Sequence, residues 1–136
     1  MTLEEQLIRD EAVRLKPYRD SVGKLTIGVG RNLDDVGISH DEAMTLLAND
    51  IDHASAQLRS KLPWTISLDE VRQAALINMA FNMGIGGLLG FRKFLAALEA
   101  GDYKTAAEEM MSSLWYKQVG DRAHRLSVQI ETGEWT

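Results

Sequence analysis

The chain has 136 residues, 45% hydrophobic and 26% charged, the composition of an ordinary globular domain with a core of its own. Its net charge is −5 and its 15 basic residues are scattered, so no basic face is expected, which argues against a general nucleic-acid binder or a membrane-surface helix. The lack of cysteine removes disulfides, thiol nucleophiles and cysteine-ligated zinc, and no apolar run approaches the roughly 18 residues of a membrane span.

Thr2-Leu3-Glu4-Glu5 reads as a capping box, with Thr2 as N-cap, and Leu3, Leu7, Ile8, Ala12 and Leu15 continue at helical spacing. Pro17 is expected to end this first helix. Tyr18 to Asp20 and Leu25 to Val29 read as short strands joined by "SVGK"; Leu25, Ile27 and Val29 alternate with Thr26, Gly28 and Gly30 on a small, open face. "RNLDDVGI" (31–38) is expected to be loop. Ser39 with Glu42 forms a second capping box, and a long helix should run to about Leu62, where Pro63 stops it. Its narrow stripe through Leu47, Ile51 and Leu58 suits a helix that bridges two lobes.

Ser67 with Glu70 suggests a third capping box. The helix behind it, "DEVRQAALINMAFNMG", is apolar nearly all round from Ala74 to Met83 and is expected to be buried. "GIGGLLG" reads as a turn, "FRKFLAALEAG" as a helix closed by Gly101, and Asp102 as the cap of a helix ending near Ser113. A last helix spans roughly Asp121 to Thr132 and stops at Gly133. The fold class is therefore α+β: a helix, a small antiparallel hairpin, a connecting helix, then a helical lobe.

Glu11 lies four residues after Leu7, three after Ile8 and four before Leu15, which places it on the apolar stripe of the first helix. A glutamate there loses hydration, which favours its protonated form, as a general acid near neutral pH requires. Asp20 lies at the hairpin turn and Thr26 on the open face of the returning strand, so the spacing Glu-x8-Asp-x5-Thr can converge on one cleft. A protonated carboxyl, an ionised carboxylate and a hydroxyl holding water are what glycoside hydrolysis asks for. The same spacing also fits a plainer arrangement, with Glu11 paired to Arg14 or Lys16 and Asp20 an ordinary turn residue.

"RDEAVRLKPYRDSVGKLTIGVGRNL" closely resembles the N-terminal signature of the phage-type lysozymes, glycoside hydrolase family 24. The likeness continues in "SLDEVRQAALINMAFNMG", in Gly90-Phe91, in "SLWYKQVGDRAHR" and in "TGEW", with a linker region shorter than in longer members. The resemblance implies a single lysozyme domain over 1–136, with a hairpin lobe at about 13–62 and a helical lobe at about 63–136 that takes in the first helix, 2–12. It implies Glu11 as the acid, Asp20 as the second carboxylate and Thr26 as the hydroxyl that places water. The implied reaction is hydrolysis, with inversion expected, of the β-1,4 bond between N-acetylmuramic acid and N-acetylglucosamine in peptidoglycan, without metal or cofactor. Asn32, Phe81 and Asn82 fall where the family lines its cleft, and Asp10 at a position paired to a C-terminal arginine, with Arg125 the first candidate and Arg122 the next.

Arg31 stands where the family commonly has histidine, and is read either as a solvated loop residue or as a hydrogen-bond donor to a sugar or peptide carboxylate. His40, His53 and His124 are scattered and offer no metal site. "TIGVG" opens no helix and "GIGGLLG" follows no strand, so neither reads as a nucleotide loop. Two rivals stay open: a lytic transglycosylase, which needs no water, and a wall-binding module without catalysis. The chain's start lacks a basic segment followed by an apolar core, so no signal peptide is expected. The expectation is a monomeric endolysin that acts on glycan strands, binds no nucleic acid, does not insert in membranes, and waits in the host cytoplasm until a holin lets it reach the cell wall.

Overall fold

The first capping box forms as expected: Thr2 Oγ1 accepts the Glu5 N–H and Glu5 accepts the Thr2 N–H. It opens α1, Leu3–Glu11, in a computed structural model that describes all 136 residues. The helix ends earlier than its apolar spacing suggested. Ala12 turns to φ 64°, and the chain enters β1, Arg14–Arg19, which takes in both Leu15 and Pro17. Pro17 therefore does not terminate α1. It sits in an edge strand, beside a register shift between Arg14 and Tyr18, where a missing N–H is tolerated.

β2, Leu25–Gly28, pairs antiparallel with β1 and with β3, Arg31–Asn32, giving a three-stranded sheet in the order β1-β2-β3. The third strand was expected to be loop; Thr26 opposite Asn32 and Ile27 opposite Arg31 recruit it to the sheet. These elements belong to the first of two compact units, Met1–Leu47, in which Thr26 is the one buried residue. The Ser39–Glu42 capping box starts α2, His40–Lys61, which runs on into the second unit, Ala48–Thr136.

Within the second unit, Pro63–Ser67 forms a short 3-10 turn, so Ser67 is not the cap of the next helix. Asp69 takes that place, its carboxylate accepting the Arg72 N–H at 3.0 Å, and starts α3, Glu70–Leu89. Helical geometry breaks at Gly84, with φ 77°, and then resumes, so "GIGGLLG" is mostly helix rather than turn. Burial explains the difference: Leu88 is fully enclosed, and packing overrides the low helix propensity of its glycines. Nor is α3 buried all round. Ala75, Leu76 and Met79 face the core, while Asn78, Phe81 and Asn82 are exposed.

Four helices complete the unit: α4, Arg92–Glu99; α5, Tyr103–Met111, capped by Asp102; α6, Leu114–Val119; and α7, Asp121–Thr132, followed by Gly133 in the left-handed region. The short α6 was not expected. Ser113, read as the end of the preceding helix, instead caps it by accepting the Tyr116 N–H. α5 packs on α4 and α7, and α3 packs on α7, around a core of Leu76, Met79, Leu88, Phe94, Leu98, Met110 and Ile130. No buried side-chain nitrogen or oxygen lacks a partner. The α+β class expected from the sequence is the one observed, and no single helix is long and apolar enough to cross a membrane.

Candidate active site

Glu11 is the last residue of α1. Its surroundings differ from the expected apolar stripe: α1 buries none of its residues, Leu7 and Ile8 are half-exposed, and Glu11 itself is exposed. The physical reason is the early end of the helix. Leu15 sits in β1, 85% exposed, and no longer continues the stripe past Glu11.

What the fold does supply is a seat for the carboxylate. The side chain of Glu11 lies against Gly30, so closely that a Cβ on Gly30 would fall 2.9 Å from Glu11 Oε2. Gly30 has φ +68° and occupies the turn between β2 and β3. Only glycine meets both demands without strain or collision. In "TIGVG" it is thus Gly30 that lets an acidic side chain approach the backbone, whereas a Cβ on Gly28 would meet nothing.

Asp20 and Thr26 are both anchored on one residue, Lys24. Asp20 Oδ1 accepts the backbone N–H groups of Val22 (3.0 Å) and Lys24 (2.8 Å), and the Asp20 N–H donates to the Lys24 carbonyl at 2.9 Å. The hydroxyl of Thr26 donates to that same carbonyl at 2.9 Å. So one oxygen of Asp20 is fixed by the hairpin turn and the other carries no protein hydrogen bond, which orients the carboxylate without using it up. Thr26 differs from its expected open setting. It is 3% exposed, and its hydroxyl proton is committed to Lys24, leaving the oxygen as an acceptor.

Arg31 is not a solvated loop residue: it lies in β3 and its Nη1 is bonded to the protein. It donates to Glu42 Oε1 at 2.7 Å and to the Gly37 carbonyl at 3.2 Å. The hydrogen bond from Arg31, helped by the Ser39 N–H, lowers the Glu42 pKa to about 2, and the arginine's own pKa rises in return. Asn32 turns its amide inward on the loop, donating to Asp35 Oδ2 and accepting the Asp35 N–H, both at 3.0 Å. Asp34 accepts the Leu25 N–H at 2.8 Å and so ties the loop to the start of β2.

Asp10 accepts from its neighbour Arg9 at 2.9 Å. In the second unit, Arg125 lies on α7 beside Arg122, whose guanidinium donates to the Asn78 side chain and carbonyl. Phe81, 43% exposed, lines a groove of about 230 Å³ with residues of α2 and α3, among them His53 and Gln57. Asn82 Oδ1 accepts the Trp115 indole N–H at 2.7 Å, and that indole meets the ring of Phe91 edge-on.

Sequence reasoning missed the roles of Lys24, Asp34 and Glu42. An Asp at a turn start followed by Gly-Lys is a signal for the first. Glu42 reads in the sequence as half of a capping box, and that spacing carries no sign of its bond to Arg31. Asp34 carried no signal of its own.

A family model described as phage lysozyme matches residues 9–128. The chain belongs to the phage lysozyme family. With that family it falls among the glycoside hydrolases of the muramidase kind, whose substrate is peptidoglycan. Three relatives illustrate the range of the similarity. The pre-baseplate central spike protein of Enterobacteria phage T4 is 34% identical over 161 residues, covering 98% of this chain and 28% of the spike protein. A probable T4-type lysozyme of Dictyostelium discoideum is 29% identical, covering 97% of this chain and 95% of its own length. The endolysin of Salmonella phage P22 is 32% identical, covering 82% and 79%. The chain thus spans under a third of the spike protein but most of the other two.

Proposed function

We propose that this chain hydrolyses the β-1,4 bond between N-acetylmuramic acid and N-acetylglucosamine, with Glu11 as proton donor and Asp20 and Thr26 directing water. The observation that carries this reading is the seat of Glu11 on Gly30, at the turn leading out of the strand that holds Thr26. Glu11 protonates the leaving glycosidic oxygen as the bond breaks. The free oxygen of Asp20 takes the proton of an attacking water, and the Thr26 oxygen accepts the water's other hydrogen. Because Glu11 is exposed in the free protein, the bound glycan itself supplies the loss of hydration that favours its protonated form. Water attack from the face opposite the leaving group gives inversion. Asn32, Phe81 and Asn82 remain candidates for sugar contacts; for Asn32 this requires opening its bond to Asp35.

Glu11→Gln is expected to abolish clearing of permeabilised Gram-negative cells with thermal unfolding unchanged, and retained clearing defeats the assignment. Proton NMR of the first products separates inversion from retention. Anhydro-muramic ends would instead identify a transglycosylase, and wall binding without product a module that has lost catalysis. We further propose that the enzyme waits in the host cytoplasm and reaches the wall through a holin, so induced cells should lyse only when a pore-former is co-expressed. The spike-protein relative favours a second setting, within a phage particle, and fractionation of purified virions distinguishes it.

A further inference from the structure

The loop after β2 is fastened to α2 at one place, and that fastening bears on Glu11. Arg31 reaches across to Glu42 Oε1 at 2.7 Å, and the same oxygen accepts the Ser39 N–H at 2.9 Å. The ion pair therefore grows directly out of the first turn of α2. Asp34 and Asp35 secure the other side of the loop, to Leu25 and Lys24, and no side chain of 31–38 other than Arg31 bonds to α2. Arg31 is paired with Ile27 in the sheet, and the residue just before it, Gly30, is the one against which Glu11 rests. Where Gly30 sits decides how close the Glu11 carboxylate comes to the turn.

We propose that Arg31 and Glu42 are positioning residues for Glu11: their ion pair pins the β2–β3 turn to the start of α2 and holds Gly30 as a fixed backing for the acid. This rests on the reading of Glu11 as proton donor. β3 is only two residues long, so its ladder alone holds the turn weakly. The pair is partly exposed, and exposed pairs add little to global stability. Its effect is geometric, because small misplacements of a reacting group weigh heavily on rate. The Glu42 carboxylate stays charged across the neutral range, so the fastening is in place wherever the enzyme would work.

The test is a double-mutant cycle on soluble peptidoglycan glycan fragments, using Arg31→Gln, Glu42→Gln and the double variant beside wild type and Glu11→Gln. Each single change is expected to lower kcat between about tenfold and about a hundredfold. KM should stay within about twofold of wild type, since ground-state binding is untouched. The double variant should be no slower than the slower single one, because both remove one contact. Glu42→Asp keeps the charge at the helix start but withdraws it by one methylene. It serves if the glutamine variants do not fold, and should lower kcat with melting unchanged. Wild-type kcat in the folded variants, a loss confined to KM, or losses that multiply in the double variant would overturn the proposal. An active Glu11→Gln enzyme would instead sink the assignment of the acid, a separate result.

Discussion

Ala12 follows Glu11 with φ 64° and ψ 167°, a region that glycine occupies and other residues enter only under strain of about 1–3 kcal/mol. It is the one residue other than glycine with positive φ in the chain. The conformation is forced by the junction: α1 must stop at Glu11 and the backbone must swing at once into β1. Strain of this kind collects beside functional groups, and here it adjoins the proposed acid. Ala12→Gly relieves it at a smaller cost in unfolded-chain entropy. A net gain of about 1 kcal/mol is expected, read as a rise in urea midpoint at unchanged slope.

Helix ends show how single side chains join elements. Arg72, in the first turn of α3, donates to the carbonyls of Ile130 (2.7 Å) and Glu131 (3.0 Å), satisfying the C-terminal end of α7. Its guanidinium also lies 3.6 Å above the ring of Tyr103 and bonds Asp69, the cap of α3. Burial pushes the Asp69 carboxyl up, but the hydrogen bonds and charge of Arg72 outweigh it and hold it below the usual range. Arg72→Ala is expected to cost about 2–3 kcal/mol in chemical unfolding, with lysine a poor substitute because it lacks the planar fork. In the first turn of α2, Glu42 makes its link to Arg31 acid-sensitive. Its pKa is about 2 in the folded protein against 4.5 ordinarily, so between those values the unfolded chain binds a proton that the folded chain does not. Stability from this group is complete above pH 4.5 and is lost as pH falls toward 2. Because the pair is partly exposed, the stability gap between wild type and Glu42→Gln is expected to be small, and it should close over that window in acid titrations followed by circular dichroism.

At the scale of the molecule the net charge is −5, while the wall it is proposed to cut is itself anionic. Long-range attraction therefore does not draw the enzyme to its substrate, and screening has little attraction to remove. Clearing of permeabilised cells is expected to decline with added salt far less steeply than for a basic lysozyme. A steep loss between low and moderate ionic strength would show that local basic groups, such as the exposed Arg14 and Lys16 of β1, dominate binding instead.

Local signals settled much of this protein on their own. The capping boxes at Thr2 and Ser39, the stop at Pro63, the cap at Asp102 and the end at Gly133 are short-range hydrogen-bond and backbone effects, so the sequence determined them without help from distant residues. It also supplied Glu11, Asp20 and Thr26 in an order that a hairpin could gather, and the family that they belong to. Tertiary structure alone decided the length of α1, the helical state of 85–89, the partner of Arg31 and the exposure of Glu11. Each of these depends on which surfaces meet, and burial is a property of neighbours far along the chain, which spacing within one helix does not record.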